Sequence, residues 1–238
     1  MKVALLAGGL GTRIMEETTV RPKPMVEIGG QPILRHIMGL YADQGFDQFV
    51  VALGYMGDVI REHFETNPAP WKVDLVDTGA ETMTGGRLRR LHSQLRDGTF
   101  MLTYGDGVSD VDANELLRFH RSHGRIATLT AVHPPERTTR LVLGGDHVSG
   151  FSRTSQGDGW INGGFFVFEP AIFDYLSADS DSLESIALTR LARDGQLMAY
   201  QHGGFWQCMD TVVERNLLED IWSTGEAPWS QTSLSALT

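Results

Sequence analysis

The chain has one cysteine, no long apolar run and a shortage of positive charge. Cys208 alone excludes an intramolecular disulfide and a thiolate metal cluster, so it is interpreted as a small, half-buried side chain. No stretch approaches the ~20 apolar residues that a membrane span needs. The 20 Lys and Arg residues against 30 Asp and Glu give a formal net charge of -10, which argues against nucleic acid as a partner. No cationic and apolar signal segment opens the chain, so the cytoplasm is the expected compartment.

The order of apolar segments predicts an α/β fold. With 238 residues, of which 41% are hydrophobic, the chain can bury one extended core, and we expect one domain over 1–229 and a loosely ordered tail over 230–238. Short apolar runs alternate with amphipathic segments, as in a mainly parallel sheet flanked by helices. The predicted strands are Val3–Ala7, Phe49–Leu53, Val73–Val76, Phe100–Thr103, Ile126–Val132 and Phe165–Phe168, and the clearest helix runs from Ile33 to Tyr41.

A glycine-rich loop follows the first predicted strand. Gly8, Gly9 and Gly11 lack side chains that would keep an anion from the backbone N–H groups, and Arg13 and Lys23 add positive charge. This combination suits a polyphosphate. The spacing matches neither the dinucleotide fingerprint nor the P-loop, and a plain strand-to-loop turn remains the alternative interpretation.

Two further segments follow predicted strands and are expected at the same edge of the sheet. TMTGGR, at 82–87, opens a predicted helix. Its hydroxyl and backbone groups could contact a base or ribose, with Arg87 nearby, or it could be an ordinary helix N-cap. TYGDGVSD, at 103–110, places Asp106 on a turn between glycines, where a carboxylate can reach Mg²⁺.

A Mg²⁺ site at Asp106 needs a second carboxylate from elsewhere in the chain. Asp210 is the candidate, with helix capping before Thr211 as the alternative. His120 and His123 have i, i+3 spacing, which suits either a transition metal or a solvated helix face.

Several blocks together resemble the sugar-phosphate nucleotidylyltransferases, and within them the chain is most similar to the glucose-1-phosphate cytidylyltransferases. The blocks are LLAGGLGTR, RPKPMVEIGGQPILRHIM, LVDTG with TMTGGR, TYGDGVSDVD, GDGWINGGFFV and FWQCMDT. The resemblance implies a nucleotide-diphospho-sugar transferase fold, which is Rossmann-like with a mixed, mainly parallel central sheet flanked by helices. It also implies a nucleotide-binding half at about 1–131 and an acceptor-binding half at about 132–229.

The resemblance implies a role for each matching residue. Arg13 and Lys23 would be catalytic, Asp106 and Asp210 would hold Mg²⁺, and Asn162 with Gly163 would face the acceptor. The residues expected to bind CTP are Leu6, Ala7, Gly8, Gly9, Gly11, Thr12, Arg13, Lys23, Thr82, Gly86, Arg87 and Gly105. The implied reaction is in-line attack of an acceptor phosphate oxygen on the α-phosphorus of CTP, with release of pyrophosphate. Because the nucleophile is already anionic, neither a general base nor a covalent intermediate is expected.

The acceptor half departs from the family pattern. Where these enzymes have Glu-Lys-Pro, this chain has Arg153, Thr154 and Ser155, so the lysine for the acceptor phosphate is absent. The family's Arg-Phe-Gly turn reads Arg-Thr-Thr at 137–139, and its Glu-Pro aligns with Ile-Ala at 186–187. Arg153 or Arg140 could replace the lysine with different geometry.

These departures lead to the hypothesis that the acceptor is a phosphorylated small molecule other than glucose 1-phosphate. A modified sugar, a cyclitol phosphate and a non-sugar phosphate stay open. A glucose-1-phosphate cytidylyltransferase proper and an inactive nucleotide-binding module are the alternatives. CTP leads as the nucleotide, ahead of UTP and dTTP, by resemblance alone. A homo-oligomer is also open, with Trp206, Trp222 and Trp229 as interface candidates and buried core as the simpler account for at least one of them.

Overall fold

A computed structural model describes residues 1–11, 14, 18–133, 140–152 and 159–230, without the side chains of residues 140, 141, 151 and 152. The strands are β1 Lys2–Leu6, β2 Glu27–Ile28, β3 Gln31–Pro32, β4 Gln48–Leu53, β5 Lys72–Asp77, β6 Phe100–Tyr104, β7 Gly107–Ser109, β8 Ala127–Val132, β9 Arg140–Gly144, β10 His147–Ser152, β11 Ile161–Phe168, β12 Leu197–Gln201 and β13 Trp206–Cys208. The α-helices are α1 Ile33–Ala42, α2 Gly57–Thr66, α3 Thr84–Arg90, α4 His92–Leu95, α5 Ala113–His123, α6 Thr189–Arg193 and α7 Val212–Ser223. A π-helix spans Leu183–Leu188, and 3₁₀ turns span Lys23–Met25, Pro170–Tyr175 and Pro228–Ser230.

The centre of the molecule is a nine-stranded sheet with the order β5-β4-β1-β6-β11-β8-β12-β10-β9. Its pairings show that β10 and β11 run opposite to the other strands, so the sheet is mixed and mainly parallel, as predicted. Each of the six predicted strands lies within one residue of an observed strand or inside a longer one. None of the helices in the described ranges has the length and apolar content needed to cross a membrane.

Strand β1 is buried on both of its faces, which explains its continuous apolar sequence. Val3 and Leu5 pack into a core against α1, while Ala4 and Leu6 pack into a second core against the helices on the other face. Because side chains alternate across a strand, one run of five residues anchors both layers. The central strands are thereby fixed, and the loops that leave their carboxyl ends have a rigid base.

The reversed direction of β11 brings its first residues to the edge of the sheet at which the parallel strands end, called here the active edge. The parallel strands β1, β4, β5 and β6 all end at this edge. Since β11 is antiparallel to β6, its first residues, Ile161 to Gly163, lie at the same edge. Segments far apart in sequence therefore meet where ligands bind in open α/β sheets.

A small ribbon places Asp210 beside this edge. Strand β13 pairs antiparallel with β7, with Cys208 opposite Gly107, and the Met209 N–H donates to the Asp106 carbonyl at 2.8 Å. Helix α7 then begins with a capping box in which Thr211, not Asp210, is the N-cap and Glu214 is its partner. The N-cap is therefore Thr211, one residue after Asp210.

The C-terminal segment packs on the core up to Ser230. Trp229 is 4% exposed and stacks on Phe205 and Trp222, which confirms a core role for one of the three tryptophans considered as interface candidates. Ser230 is buried and donates to the Ala227 carbonyl, so it packs with the residues that precede it. Residues 231–238 lie outside the described residues.

Two histidines of α5 form a hydrogen-bonded cluster with the sheet. His120 Nδ1 and His123 Nε2 each lie 2.8 Å from Thr128 Oγ1, and His120 Nε2 lies 3.2 Å from Glu169 Oε1. These hydrogen bonds favour a structural role for the two histidines over a metal site. Burial lowers the pKa of both histidines, for His123 to about 4, with help from the positive charges of His120, Arg125 and His147.

We expect acid to destabilise the protein through these histidines. A histidine with a lowered folded-state pKa contributes stability above its unfolded pKa of about 6.5, and this contribution is lost as the pH falls toward 4. Urea unfolding at pH 7.5 and pH 5 should show a lower free energy of unfolding at pH 5. His123→Gln should reduce that difference, and an unchanged difference would contradict the assignment.

Candidate active site

Two adjoining cavities lie at the active edge of the sheet. The first has a volume of about 430 Å³ and extends from the glycine-rich loop to Tyr104 and Asp106. The second has a volume of about 170 Å³ and is lined by the start of β11, the β13 strand and Asp210. Tyr104 and Asp106 line both cavities, so the two spaces meet at these residues.

The glycine-rich loop forms one wall of the first cavity. A Cβ atom built at Gly9 would have no neighbour within 4 Å, so open space reaches its backbone. Gly11 has a φ of +63°, a conformation that favours glycine. A polyphosphate can therefore approach this backbone closely, as the sequence predicted.

At Gly8 a side chain is excluded by a neighbouring residue and not by a bound anion. A Cβ at Gly8 or at Gly54 would lie 2.3 Å from Arg87 Nη1, because the Arg87 guanidinium passes between the two loops. Arg87 is 3% exposed and donates to the carbonyls of Leu53, Gly8, Gly79 and Ala80 and to Thr78 Oγ1, at 2.7 to 3.1 Å. One side chain thus ties together the loops that follow β1, β4 and β5.

Most of the residues predicted to bind the nucleotide line the first cavity. They are Leu6, Gly8, Gly9, Gly11, Lys23, Thr82, Arg87 and Gly105. Ala7 and Gly86 do not line this cavity. Ala7 is fully buried and donates from its N–H to the Ala52 carbonyl. Gly86 packs on the backbone of Asp179, where a Cβ would lie 2.2 Å from the carbonyl oxygen, so it supports the wall from behind.

Lys23 joins the two predicted metal ligands. Its Nζ lies 2.6 Å from Asp106 Oδ2 and 2.5 Å from Asp210 Oδ1, and its side chain is only 8% exposed. Burial alone would lower the pKa of Lys23, but the charges and hydrogen bonds of Asp106 and Asp210 outweigh burial and raise it. Lys23 is therefore a fixed positive charge where the two cavities meet.

The second cavity contains both residues predicted to face the acceptor, Asn162 and Gly163. Trp206 lines it as well, and its Nε1–H donates to the Gly163 carbonyl at 2.7 Å. Cys208 is half-buried, as predicted, and burial with the charges of Asp210 and Glu214 raises the pKa of its thiol to about 12. The thiol therefore stays protonated and is a poor nucleophile.

Four other predicted residues are not located. Thr12, Arg13 and Arg153 lie outside the described residues, and of Arg140 only the backbone, at the start of β9, is described.

Glu184 is a cavity residue that the sequence did not reveal. It lies in the π-helix and lines the first cavity beside Thr84 and Tyr104. Its carboxylate accepts hydrogen bonds from Thr84, Tyr104 and Ser182. The only available signal was an acidic residue in the segment that aligns with the family's Glu-Pro, two positions before Ile186.

Comparisons with known proteins agree with this geometry. The profile of the family described as Nucleotidyl transferase matches residues 2–211. The chain is 46% identical to glucose-1-phosphate cytidylyltransferase of Salmonella typhimurium, over 96% of this chain and 98% of that protein. It is 38% identical to the probable glucose-1-phosphate cytidylyltransferase of Bacillus subtilis, with coverage of 96% and 99%.

Solved structures show the same fold. HddC from Yersinia pseudotuberculosis superposes with a TM-score of 0.81 at 25% identity, covering 93% of this chain and 99% of that one. The inositol-1-phosphate CTP transferase from T. maritima superposes with a TM-score of 0.78 at 16% identity, covering 92% and 95%, which shows a shared fold. The predicted nucleotide-diphospho-sugar transferase fold is thereby confirmed.

Replacing Arg87 by Met should destabilise the loops of the first cavity. The variant leaves buried carbonyls without a donor, and each loss costs about 1–3 kcal/mol, so we expect a decrease of about 3 kcal/mol or more in the free energy of unfolding. Arg90→Met, on the same helix, removes only an exposed contact with Asp179 and should change stability by less than about 1 kcal/mol. Urea unfolding measures both, and equal losses in the two variants would contradict the role of Arg87.

Proposed function

Because this chain belongs to the nucleotidyl transferase family and is a nucleotidyltransferase that acts on sugar phosphates, we propose that it transfers CMP from CTP to its acceptor. One observation carries the proposal. Lys23, between Asp106 and Asp210, lies where a nucleotide-sized cavity meets a smaller one. The choice of CTP is supported by the 46% identity to a protein named for cytidylyl transfer to glucose 1-phosphate.

The first cavity would hold CTP. The open backbone at Gly9 and the charge of Lys23 suit the phosphates, while Thr82 and the start of α3 suit the nucleoside. Arg87 lines this cavity, but its hydrogen bonds to the loops support a role in holding the walls in place. The acceptor phosphate would enter from the second cavity, past Asn162 and Gly163.

Asp106 and Asp210 fit a divalent metal ion. Both present carboxylate oxygens, the ligand type that Mg²⁺ prefers, and their side chains are 28% and 19% exposed at the cavity. Two protein carboxylates with phosphate oxygens form a usual Mg²⁺ ligand set. When bound, Mg²⁺ would neutralise charge on the phosphates and orient them.

The residues of this chain then need only to offset charge and to hold the substrates in position. The attacking phosphate oxygen is anionic, so no residue needs to remove a proton from it. Lys23 Nζ offsets repulsion between acceptor and nucleotide phosphates, because its ammonium remains charged across the neutral pH range. The walls tied by Arg87 keep the reacting groups in line.

The acceptor we propose is a sugar 1-phosphate or related phosphate other than glucose 1-phosphate. The changed sequence at 153–155, which lacks the family's acceptor-phosphate lysine, and the Ile-Ala at 186–187 support a changed acceptor. Retention of Lys23, Asp106 and Asp210 in one cluster supports retained transfer chemistry. A glucose-1-phosphate cytidylyltransferase proper is the alternative.

The test is a matrix of CTP, UTP and dTTP against phosphorylated sugars and cyclitols with Mg²⁺, read as pyrophosphate release and product mass. We expect CTP to lead and an acceptor other than glucose 1-phosphate to give the highest kcat/KM. Asp106→Asn, Asp210→Asn and Lys23→Met should each lower kcat by about 10²-fold or more, because each removes a charge at the reacting phosphates.

Asp110→Asn is the matched control, since Asp110 contacts His202 and not the two cavities. It should keep kcat close to that of the parent enzyme. Highest turnover with glucose 1-phosphate would contradict the proposal of a different acceptor. CTP binding without pyrophosphate release with any acceptor would contradict the proposed transfer activity.

Lys23 should also compete with metal for the two carboxylates. Its ammonium contacts both of them, so a cation that binds there must displace it. We expect Mn²⁺ to bind Lys23→Met at least about tenfold more tightly than the parent protein, as measured by electron paramagnetic resonance without nucleotide. The double variant Lys23→Met, Asp106→Asn should lose this gain, and equal affinity in parent and single variant would contradict the competition.

A further inference from the structure

Glu184 is held in a defined orientation at the edge of the first cavity. Its Oε2 accepts hydrogen bonds from Thr84 Oγ1 at 2.9 Å and from Ser182 Oγ at 2.6 Å. Its Oε1 accepts one from the Tyr104 hydroxyl at 2.5 Å. Three donors fix the orientation of this carboxylate: Thr84 in α3, Tyr104 in β6 and Ser182 directly before the π-helix. A glutamate that served only to keep the surface soluble would not need three such partners. It also lies in a π-helix, a local geometry frequent at functional sites.

The hydrogen-bond count leaves one acceptor position on Glu184. A carboxylate has about four lone-pair sites, two on each oxygen. Thr84 and Ser182 take both positions on Oε2, whereas Tyr104 takes one on Oε1. The remaining position is therefore on Oε1, the oxygen that accepts from the Tyr104 hydroxyl at the first cavity.

The group that fills this position must be a hydrogen-bond donor without negative charge. The partners of Glu184 are hydroxyls, so its negative charge is not cancelled and a phosphate there would be repelled. Phosphates have Lys23 and the backbone near Gly9 elsewhere in the cavity. A carboxylate that faces substrate in a sugar-nucleotide site suits a ring hydroxyl, which it binds by a charge-assisted hydrogen bond.

Tyr104 connects Glu184 to the second cavity. It lines that cavity beside Asn162 and Gly163, and its hydroxyl donates to Glu184 Oε1. Gly164 has a φ of +79°, and a Cβ there would lie 2.6 Å from the Tyr104 ring. The chain keeps space for this tyrosine between the two cavities.

We propose that Glu184 is a specificity residue that accepts a hydrogen bond from a ring hydroxyl of the substrate, either the ribose of the nucleotide or the acceptor sugar. The proposal rests on the proposed function, because it assumes a nucleotide and a sugar phosphate as substrates.

The test compares each substrate with its deoxy analogue in the parent enzyme and in Glu184→Ala. One arm uses CTP, 2′-deoxy-CTP and 3′-deoxy-CTP, and the other uses the best acceptor and its monodeoxy forms. Loss of a hydrogen bond to a charged group should lower kcat/KM for the hydroxylated substrate about 10- to 100-fold, with little further loss for the analogue that lacks that hydroxyl. If the variant loses the preference for the hydroxylated form among the CTP analogues, the hydroxyl belongs to the ribose. If it loses that preference among the acceptor analogues, the hydroxyl belongs to the acceptor sugar. Unchanged preferences in both arms would overturn the proposal.

Ser185→Ala is the matched control, because Ser185 lies in the same π-helix but its exposed side chain does not line the first cavity. It should keep the hydroxyl preference of the parent enzyme. Glu184→Gln, which retains an acceptor oxygen, serves if the alanine variant does not fold and should lose less of the preference than alanine. A parent enzyme without any transfer activity would refute the proposed function alone, and binding of CTP against its deoxy forms by calorimetry would then still test the ribose arm.

Discussion

The contact of Lys23 with Asp106 and Asp210 is the interaction on which the geometry of the site depends. Two carboxylates at the mouth of a cavity repel one another, and a buried ammonium alone would be costly. The positive charge of Lys23 and the negative charges of the two aspartates stabilise one another, at Nζ to oxygen distances of 2.5 and 2.6 Å. The three residues come from the beginning, the middle and the end of the chain, so their contact also joins these segments.

The fold meets this requirement by mixing strand directions. A purely parallel sheet would bring only carboxyl ends to the active edge, whereas the reversed β11 adds its first residues to that edge. The β7 and β13 ribbon then carries Asp210 to Asp106 from outside the main sheet. The regular βα alternation thus forms most of the first cavity, and the irregular pairings form the second cavity and its link to Asp106 and Asp210.

Sequence periodicity predicted the strands and main helices well, because a strand buried on both faces and an amphipathic helix leave clear apolar patterns. Roles for Lys23, Asp106 and Asp210 were predicted from family resemblance and, for Asp106, from its position after a strand, but the contact of Lys23 with both carboxylates was not predicted. The structural role of Arg87 could not be predicted, since four of its five acceptors are backbone carbonyls, which every residue has. Glu184 was missed because two of its partners are 80 and 100 residues away.

The distribution of charge explains how a chain with a net charge of -10 can bind two phosphorylated substrates. Local fields, not the net charge, act on a bound ligand. Lys23 and the open backbone at Gly9 suit phosphates, whereas Glu184 is hydrogen-bonded to neutral hydroxyls. The phosphate of a sugar phosphate suits the surroundings of Lys23, and its ring hydroxyls suit Glu184. Because these environments are built by different segments, the hydroxyl-binding side can change in evolution without disturbing Lys23, Asp106 and Asp210. This separation accounts for a chain whose acceptor segments have diverged while its charged cluster is intact.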